Sequence, residues 1–149
     1  MSDIEQEPEP FAFEPLMLSR FSQLIGPIGV QWEPSPVFQA TVGEAHCNSM
    51  GRAHGGFIAS LIDIATGQGV KRILDDDRSL VTVTSNIEYL GAARVGDRLR
   101  LEVTVEKDSP LLVFARCIVG AGAQPVGSAS VVFSARPKRP TVEDSVTLH

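Results

Sequence analysis

The stretch that decides the fold runs from Cys47 to Asp63 and reads Cys-Asn-Ser-Met-Gly-Arg-Ala-His-Gly-Gly-Phe-Ile-Ala-Ser-Leu-Ile-Asp. It opens an apolar segment, residues 55–70, that contains no proline and has Asp63 as its one ionisable residue. Apolar side chains would fall on nearly every side of a helix formed by this segment. The pattern predicts a long central helix, about residues 55–73, that is buried on most of its circumference.

The start of this predicted helix carries a glycine pair, Gly55 and Gly56, after a loop that contains Asn48 and His54. A helix start has unpartnered backbone N–H groups and a partial positive charge, and glycine lets a ligand come close to them. Asp63 follows Gly55 by a little over two turns, at ~3.6 residues per turn. We therefore expect the carboxylate and the N–H donors to face the same space, as acyl hydrolysis requires.

Composition limits the class of protein. At 149 residues the chain fits one domain, and its 43% hydrophobic and 21% charged residues are ordinary for a globular protein. Its net charge of −5, with no basic stripe, argues against nucleic acid as a partner. No apolar span of eighteen or more residues and no signal segment are present, and the two cysteines lack metal-type spacing. The expected location is the cytoplasm, without membrane insertion.

The order of predicted elements indicates an α+β fold. A flexible acidic tail (1–13) and a polar C-terminal tail (137–149) flank a single domain (14–136), which begins with a short helix from Pro15 to Ile25. Alternating or continuous apolar runs then predict five strands, one before and four after the central helix, at residues 37–42, 80–90, 98–106, 111–119 and 126–135. One antiparallel sheet curled around the central helix satisfies this order, and its open edges predict pairing with a second copy.

Several patterns also have plain structural interpretations. Asp63 could belong to a narrow polar stripe that faces solvent or a neighbouring strand. The run Asp75 to Asp77 is more typical of a solvated turn than of a metal site, so no metal is expected. Cys47 has no activating pattern of its own and is not expected to be a nucleophile. Asn48 could simply cap a turn.

The spaced set of loop and helix residues resembles the hotdog-fold thioesterases, and among them the phenylacetyl-CoA thioesterase-like branch. The set comprises His46, Asn48, Gly51, His54, Gly55, Gly56, Leu61, Asp63 and Ala65. The stretch from Asn86 to Leu90 and the Gly96-Asp97 turn also look like this family, so the resemblance covers about residues 37–135. It implies a hotdog fold, with sites formed between the subunits of a homodimer or homotetramer.

The resemblance also implies a reaction, the hydrolysis of an aryl- or fatty-acyl-CoA thioester, with coenzyme A as part of the substrate and no other cofactor. Asp63 would be the general base or the nucleophile, and the backbone N–H of Gly55, with that of Gly56, would polarise the carbonyl. Asn48 would place the reacting groups and His54 would brace the loop. Thr82, or in its place Thr84 or Ser85, would complete the catalytic set.

Substrate binding is less clearly marked in the sequence. Arg94 and Arg136 are candidates for contacts with the phosphates of coenzyme A, because guanidinium groups favour bidentate phosphate contacts. Gly67 stands where another hotdog branch has a threonine, so that version of the site is not supported. Ala92 and Ser109-Pro110 also depart from the family pattern, in loops expected to bind substrate.

Two rival functions remain open at this point. One is an enoyl-CoA hydratase of the same fold, although the differently spaced Asp and His motif of such enzymes is not found. The other is a non-catalytic acyl-CoA binding protein.

Overall fold

The computed structural model of this chain describes residues 13–16, 18–75 and 77–138. Most of the two predicted tails, residues 1–12 and 139–149, lies outside the described residues. The described elements, in order, are β1 (Glu14–Pro15), α1 (Arg20–Ile25), β2 (Ile28–Gln31), β3 (Val37–Thr41), α2 (Gly55–Leu74), β4 (Ser79–Tyr89), β5 (Arg98–Asp108), β6 (Leu112–Ala121) and β7 (Gln124–Arg136). In this part of the chain, no helix is long and apolar enough to cross a membrane.

The strands form one antiparallel sheet in the order β1-β2-β3-β5-β6-β7-β4. Along β5, exposed charged residues alternate with the buried residues Leu99, Leu101 and Val103. This alternation leaves one face of the strand wet and turns the other toward the core. The five strands predicted from the sequence are present, with ends that differ by one or two residues.

The central helix α2 packs against β5, β6 and β4 and supplies much of the core. Its buried residues recur as adjacent pairs along the helix: Phe57, Ile58, Leu61, Ile62, Ala65, Thr66, Gly69 and Val70. Such a repeat gives a single buried stripe. Asp63 and Lys71 lie on an exposed side of the helix, whereas most of the other residues from 55 to 70 are buried or half-buried.

One antiparallel sheet packed on one long helix is the hotdog fold that the resemblance implied, so the predicted α+β fold is confirmed. The helix ends one residue later than predicted, where Asp75 takes the left-handed conformation (φ 47°).

The N-terminal region differs from the prediction. The short helix is present but covers only α1, because Ser19 caps its start and closes a capping box with Ser22. Pro15, expected in the first turn of this helix, lies instead in β1, and the Leu16 N–H donates to the Ile28 carbonyl at 2.8 Å. Strand β2, which receives this pairing, was not predicted.

Strand β4 lies at one end of the sheet order, and β7 is its one strand partner among the described residues. Most of its side chains are exposed, including Val81 (59%) and Val83 (57%). An exposed apolar edge strand offers unpaired backbone groups to another strand.

Candidate active site

The predicted carboxylate lies on the open side of α2, where it meets strand β4. The Oδ1 atom of Asp63 accepts a hydrogen bond from the Thr82 hydroxyl at 2.8 Å. A carboxylate that accepts from a hydroxyl is held in one orientation, and the bond is stronger than one between neutral groups. Of the three hydroxyl residues considered in the sequence, Thr82 is the one placed on the acid.

A β-bulge explains why this hydroxyl faces the helix. The register of β4 against β7 shifts between Thr82 and Thr84, so that Val83 is an extra residue. Thr82 pairs with Phe133 and Ser85 pairs with Val131, whose side chains are buried in the core, whereas Thr84 pairs with Val132. Thr82 and Ser85 therefore share the face toward α2, and Thr84 lies on the opposite face.

The start of α2 is held by His54. Its Nδ1 atom accepts the backbone N–H of Gly56 at 2.8 Å, and its own backbone N–H donates to the His46 carbonyl at 2.8 Å. The imidazole thus serves as the N-cap of the helix, which is the bracing contact expected of it. Because the Gly56 N–H is already used, the Gly55 N–H, which has no partner among the described residues, is left as a donor at this helix start.

A second histidine supports the same loop. His46 accepts the Gly43 N–H with its Nδ1 atom at 2.9 Å. Its ring stacks on Phe57 with 4.1 Å between ring centroids and an interplanar angle of 5°. The first contact holds the loop before α2 together, and the second packs this loop against the helix.

Asn48 shapes the loop that precedes the helix. Its Oδ1 atom accepts the backbone N–H groups of Met50 (3.0 Å) and Arg52 (3.2 Å), and its backbone N–H donates to the Arg52 carbonyl at 2.7 Å. The side-chain oxygen is therefore occupied in the turn, which is the capping role left open by the sequence. The side-chain NH₂ group has no partner within the described ranges and is the part of Asn48 left for a ligand.

Tyr89 is a site residue that the sequence did not reveal. Its hydroxyl donates to the Gly55 carbonyl at 3.1 Å, and its ring lies 3.5 Å from where a Cβ on Gly55 would be. The ring thus covers the helix start beside the unpartnered N–H. The sequence signal was weak, because an aromatic residue near a strand end has many possible neighbours.

A cavity of about 360 Å³ opens beside the helix start, within the size range of small-molecule sites. It brings together Asn48, Gly55 and Tyr89, with a mostly apolar wall that includes Ile58 and Val126. The cavity therefore offers an N–H donor and an amide beside apolar surface. Its lining includes neither Asp63 nor Thr82.

The two halves of the predicted chemistry are separated within one chain. Eight residues of helix at ~1.5 Å per residue place Gly55 and Asp63 about 12 Å apart along the axis. The expectation that they face the same space is therefore wrong for a single chain, because one carbonyl carbon cannot be near both groups.

The two predicted phosphate contacts are also apart. Arg94 forms an isolated antiparallel bridge with Arg52, which lines the cavity. Arg136 pairs with Ser79 near the far end of β7, nine residues beyond the Gly127 partner of Tyr89. At ~3.3 Å per residue, this is roughly 30 Å along the strand. Only Arg94 lies beside the cavity of its own chain.

Metal binding and cysteine chemistry find no support in the described part of the chain. No group of three or more potential metal ligands occurs there. Burial raises the pKa of the Cys117 thiol to about 12, which leaves it neutral and inert. Cys47 is half-buried, and its Sγ atom donates to the Gly43 carbonyl at 3.4 Å.

The sequence of this chain matches a known family and an individual relative. Residues 50–128 match the family model described as the thioesterase superfamily. A putative esterase of Pseudomonas aeruginosa is 33% identical over 127 residues, which cover 83% of this chain and 95% of that protein.

Solved structures share the fold. The PaaI protein of the phenylacetic acid degradation operon of E. coli matches with a TM-score of 0.73 at 17% identity, over 83% of this chain and 88% of its own. A hypothetical thioesterase of Streptococcus pneumoniae, solved with coenzyme A, matches with a TM-score of 0.67 at 20% identity, over 76% and 88% of the two chains.

Proposed function

This chain belongs to the thioesterase superfamily, and from that premise we propose that it hydrolyses the thioester bond of an aryl- or fatty-acyl-CoA. The observation that carries the proposal is the carboxylate of Asp63, fixed by Thr82 on the open side of the helix whose first N–H, at Gly55, has no partner among the described residues. These are the base and the oxyanion donor that acyl transfer to water needs. The proposed reaction needs no cofactor, since coenzyme A enters as part of the substrate.

In the proposed mechanism, the Gly55 N–H donates to the thioester carbonyl oxygen as it gains negative charge. Asp63 takes a proton from water, and the water oxygen forms a bond to the carbonyl carbon. The carbon–sulfur bond then breaks, Asp63 gives its proton to the sulfur, and coenzyme A leaves as its thiol with a carboxylic acid as the other product. Alternatively, the Asp63 carboxylate attacks the carbonyl carbon and the thiolate of coenzyme A leaves as the carbon–sulfur bond breaks; water then hydrolyses the resulting anhydride. The Thr82 hydroxyl orients the carboxylate for either route.

A second copy of the chain completes this site in our proposal. The exposed edge strand β4, with Val81 and Val83, is suited to pair with the same strand of a partner. Pairing about a two-fold axis would set the two α2 helices antiparallel. If the axis lies level with Ala59, the Gly55 N–H of one chain lies level with Asp63 of the partner subunit, which removes the separation of about 12 Å.

The test is thiol release from a panel of aryl-, short-chain and long-chain acyl-CoA esters, with the native protein beside Asp63→Asn. We expect hydrolysis by the native protein and a loss of at least about 100-fold in turnover for the variant, as is typical when a general base is removed. Circular dichroism of both proteins serves as the folding control. An unchanged rate in Asp63→Asn contradicts the mechanism, and no release from any ester by a folded protein contradicts the activity.

The same panel separates the rival functions. Hydration of crotonyl-CoA without thiol release would indicate a hydratase. Tight binding of an acyl-CoA without any turnover would indicate a binding protein. Because the two rivals leave the thioester intact, thiol release is the measurement that distinguishes the proposal from both.

A further inference from the structure

Arg52 and Arg94 lie opposite each other beside the cavity, whose lining includes Arg52 and the neighbour of Arg94, Ala93. They are the two members of an isolated antiparallel bridge between the loop before α2 and the loop before β5. Residues opposite each other in such a pair have Cβ atoms roughly 4.5–5.5 Å apart, with side chains on the same face. Two like charges in this position repel each other and destabilise the pair.

Neither arginine forms a side-chain ion pair within the described part of the chain. The ion pairs found there use the arginines at positions 72, 78, 100 and 116. Asp97, the acid closest to Arg94 in the sequence, accepts the backbone N–H of Arg94 with its Oδ2 atom at 2.9 Å. Both guanidinium groups are therefore left with donors that a ligand can use. An anion bound between them would convert a repulsive pair into an attractive triad.

The position of the pair relative to the cavity specifies the kind of anion. Arg52 lines the same cavity as the Gly55 N–H, only three residues away in the sequence, so their Cα atoms are at most about 10 Å apart. The cavity lining also includes Ala53 and Leu90. A ligand that fits is elongated, with a carbonyl at one end, an uncharged middle and an anion at the other end.

We propose that Arg52 and Arg94 form a phosphate clamp, which binds a phosphate attached to the pantetheine arm of the thioester substrate. Planar guanidinium groups bind phosphate oxygens in a bidentate manner, and two of them from a rigid bridge would fix its position. The clamp rests on the proposed thioesterase function, because it assigns one end of the substrate of that site. The same phosphate chemistry occurs in coenzyme A and in the phosphopantetheine group of acyl-carrier proteins.

The test uses three thioesters with the same acyl group: acyl-CoA, acyl-phosphopantetheine and acyl-pantetheine. Steady-state kinetics are compared for the native protein, Arg52→Gln, Arg94→Gln and the double variant. Arg20→Gln is the matched control, since Arg20 is also exposed and has no ion pair among the described residues. Arg20 lies on α1, away from the cavity lining.

We expect the double variant to raise KM for acyl-CoA by about tenfold, with kcat nearly unchanged, because exposed charge-assisted contacts contribute modestly. The KM for acyl-pantetheine, which has no phosphate, should not change. A rise for acyl-phosphopantetheine as well places the clamp on the pantetheine phosphate. A rise for acyl-CoA alone would place the contact on the phosphates next to the nucleoside and would contradict the proposed clamp. An unchanged KM for acyl-CoA, or an equal rise for all three thioesters, overturns the clamp.

Failure of the proposed thioesterase function can be distinguished from failure of the phosphate clamp. If no thioester is hydrolysed, calorimetric titration with coenzyme A itself tests the clamp alone. Binding that is weakened about tenfold in the double variant, and that weakens further as salt is added, supports the clamp without any catalysis. Equal binding by the native protein and the double variant, or no binding at all, overturns it.

Discussion

The Thr82 hydroxyl donates to the Asp63 carboxylate at 2.8 Å, and this bond joins the edge strand β4 to the exposed side of α2. It connects the two features that the proposed activity most depends on. The carboxylate is the proposed base, and the strand is the proposed dimer edge. Pairing of a second copy along β4 would therefore act directly on the orientation of the base.

Thr82→Val should lower kcat by about tenfold or more, since a hydrogen bond to a charged group contributes roughly 1.5–3 kcal/mol. KM for acyl-CoA should change little, because the hydroxyl orients the carboxylate and does not hold the substrate. Thr84→Val is the matched control, as Thr84 lies one register position away on the opposite face of the strand. Equal kcat values for the two variants would exclude a role for the Thr82 hydroxyl.

Tyr89→Phe should lower kcat by about fivefold, because it removes a neutral hydrogen bond of ~1 kcal/mol to the Gly55 carbonyl. The remaining ring should keep KM near the native value. Tyr89→Ala also removes a wall of the cavity and should raise KM as well. Steady-state kinetics of the two variants separate the effects. A Phe variant with native kcat would show that the hydroxyl does not position the oxyanion donor.

Lysine at positions 81 and 83 should separate the proposed dimer. In a symmetric pair of β4 strands, Val81→Lys/Val83→Lys would bring like charges close together across the two-fold axis. We expect sedimentation velocity to show a smaller particle and thiol release to fall with it. Ile118→Lys is the control, because Ile118 is an exposed apolar residue (45%) on the inner strand β6. A double variant with unchanged size and activity would contradict the composite site.

Stability should depend on pH through Cys117. Burial raises the pKa of its thiol from 9.0 to about 12, so between these values the unfolded chain loses a proton that the folded chain keeps. This contribution to stability is complete below pH 9 and is lost as the pH rises toward 12, by at most ~1.4 kcal/mol per pH unit. Urea unfolding of the native protein and Cys117→Ala should therefore show a stability difference that narrows with pH. A constant difference would refute this account.

The sequence predicted the elements whose burial has a regular period. Strand β5 alternates without interruption, and α2 has apolar residues throughout, so both were placed within one or two residues. The open side of α2 was predicted only as one of two alternatives, a narrow polar stripe at Asp63 that faces solvent or a neighbouring strand. Small residues such as Ala59 and Gly67 look the same in a sequence whether they face a sheet, solvent or a second copy.

The N-terminal region shows how a distant partner can override a local pattern. The spacing from Leu16 to Ile25 fits a helix, yet the Leu16 N–H bonds to the Ile28 carbonyl and keeps this part of the chain extended. Strand β2 has four residues, one of them Gly29. A strand of this length is too short for an alternation of apolar and polar residues to be recognised. Sheet pairing of this kind depends on contacts that no local window contains.

In the candidate site, the residue types were predictable and their grouping was not. The spacing of Gly55 and Asp63 suggested a common face, but a separation of about 12 Å along the axis divides them within one chain. Arg52 and Tyr89 were missed, because a backbone bridge and a hydroxyl-to-carbonyl contact leave no sequence motif.

Because Val83 is an extra residue, the residues of β4 that face the helix are not all even-numbered or all odd-numbered. Before Val83, even-numbered positions face the helix, as Leu80 and Thr82 do; after it, odd-numbered positions do, as Ile87 and Tyr89 do. A mutational scan along this strand should therefore show sensitivity that switches parity at Val83. Aligning relatives across this point without allowing for one inserted residue would match catalytic positions to surface ones.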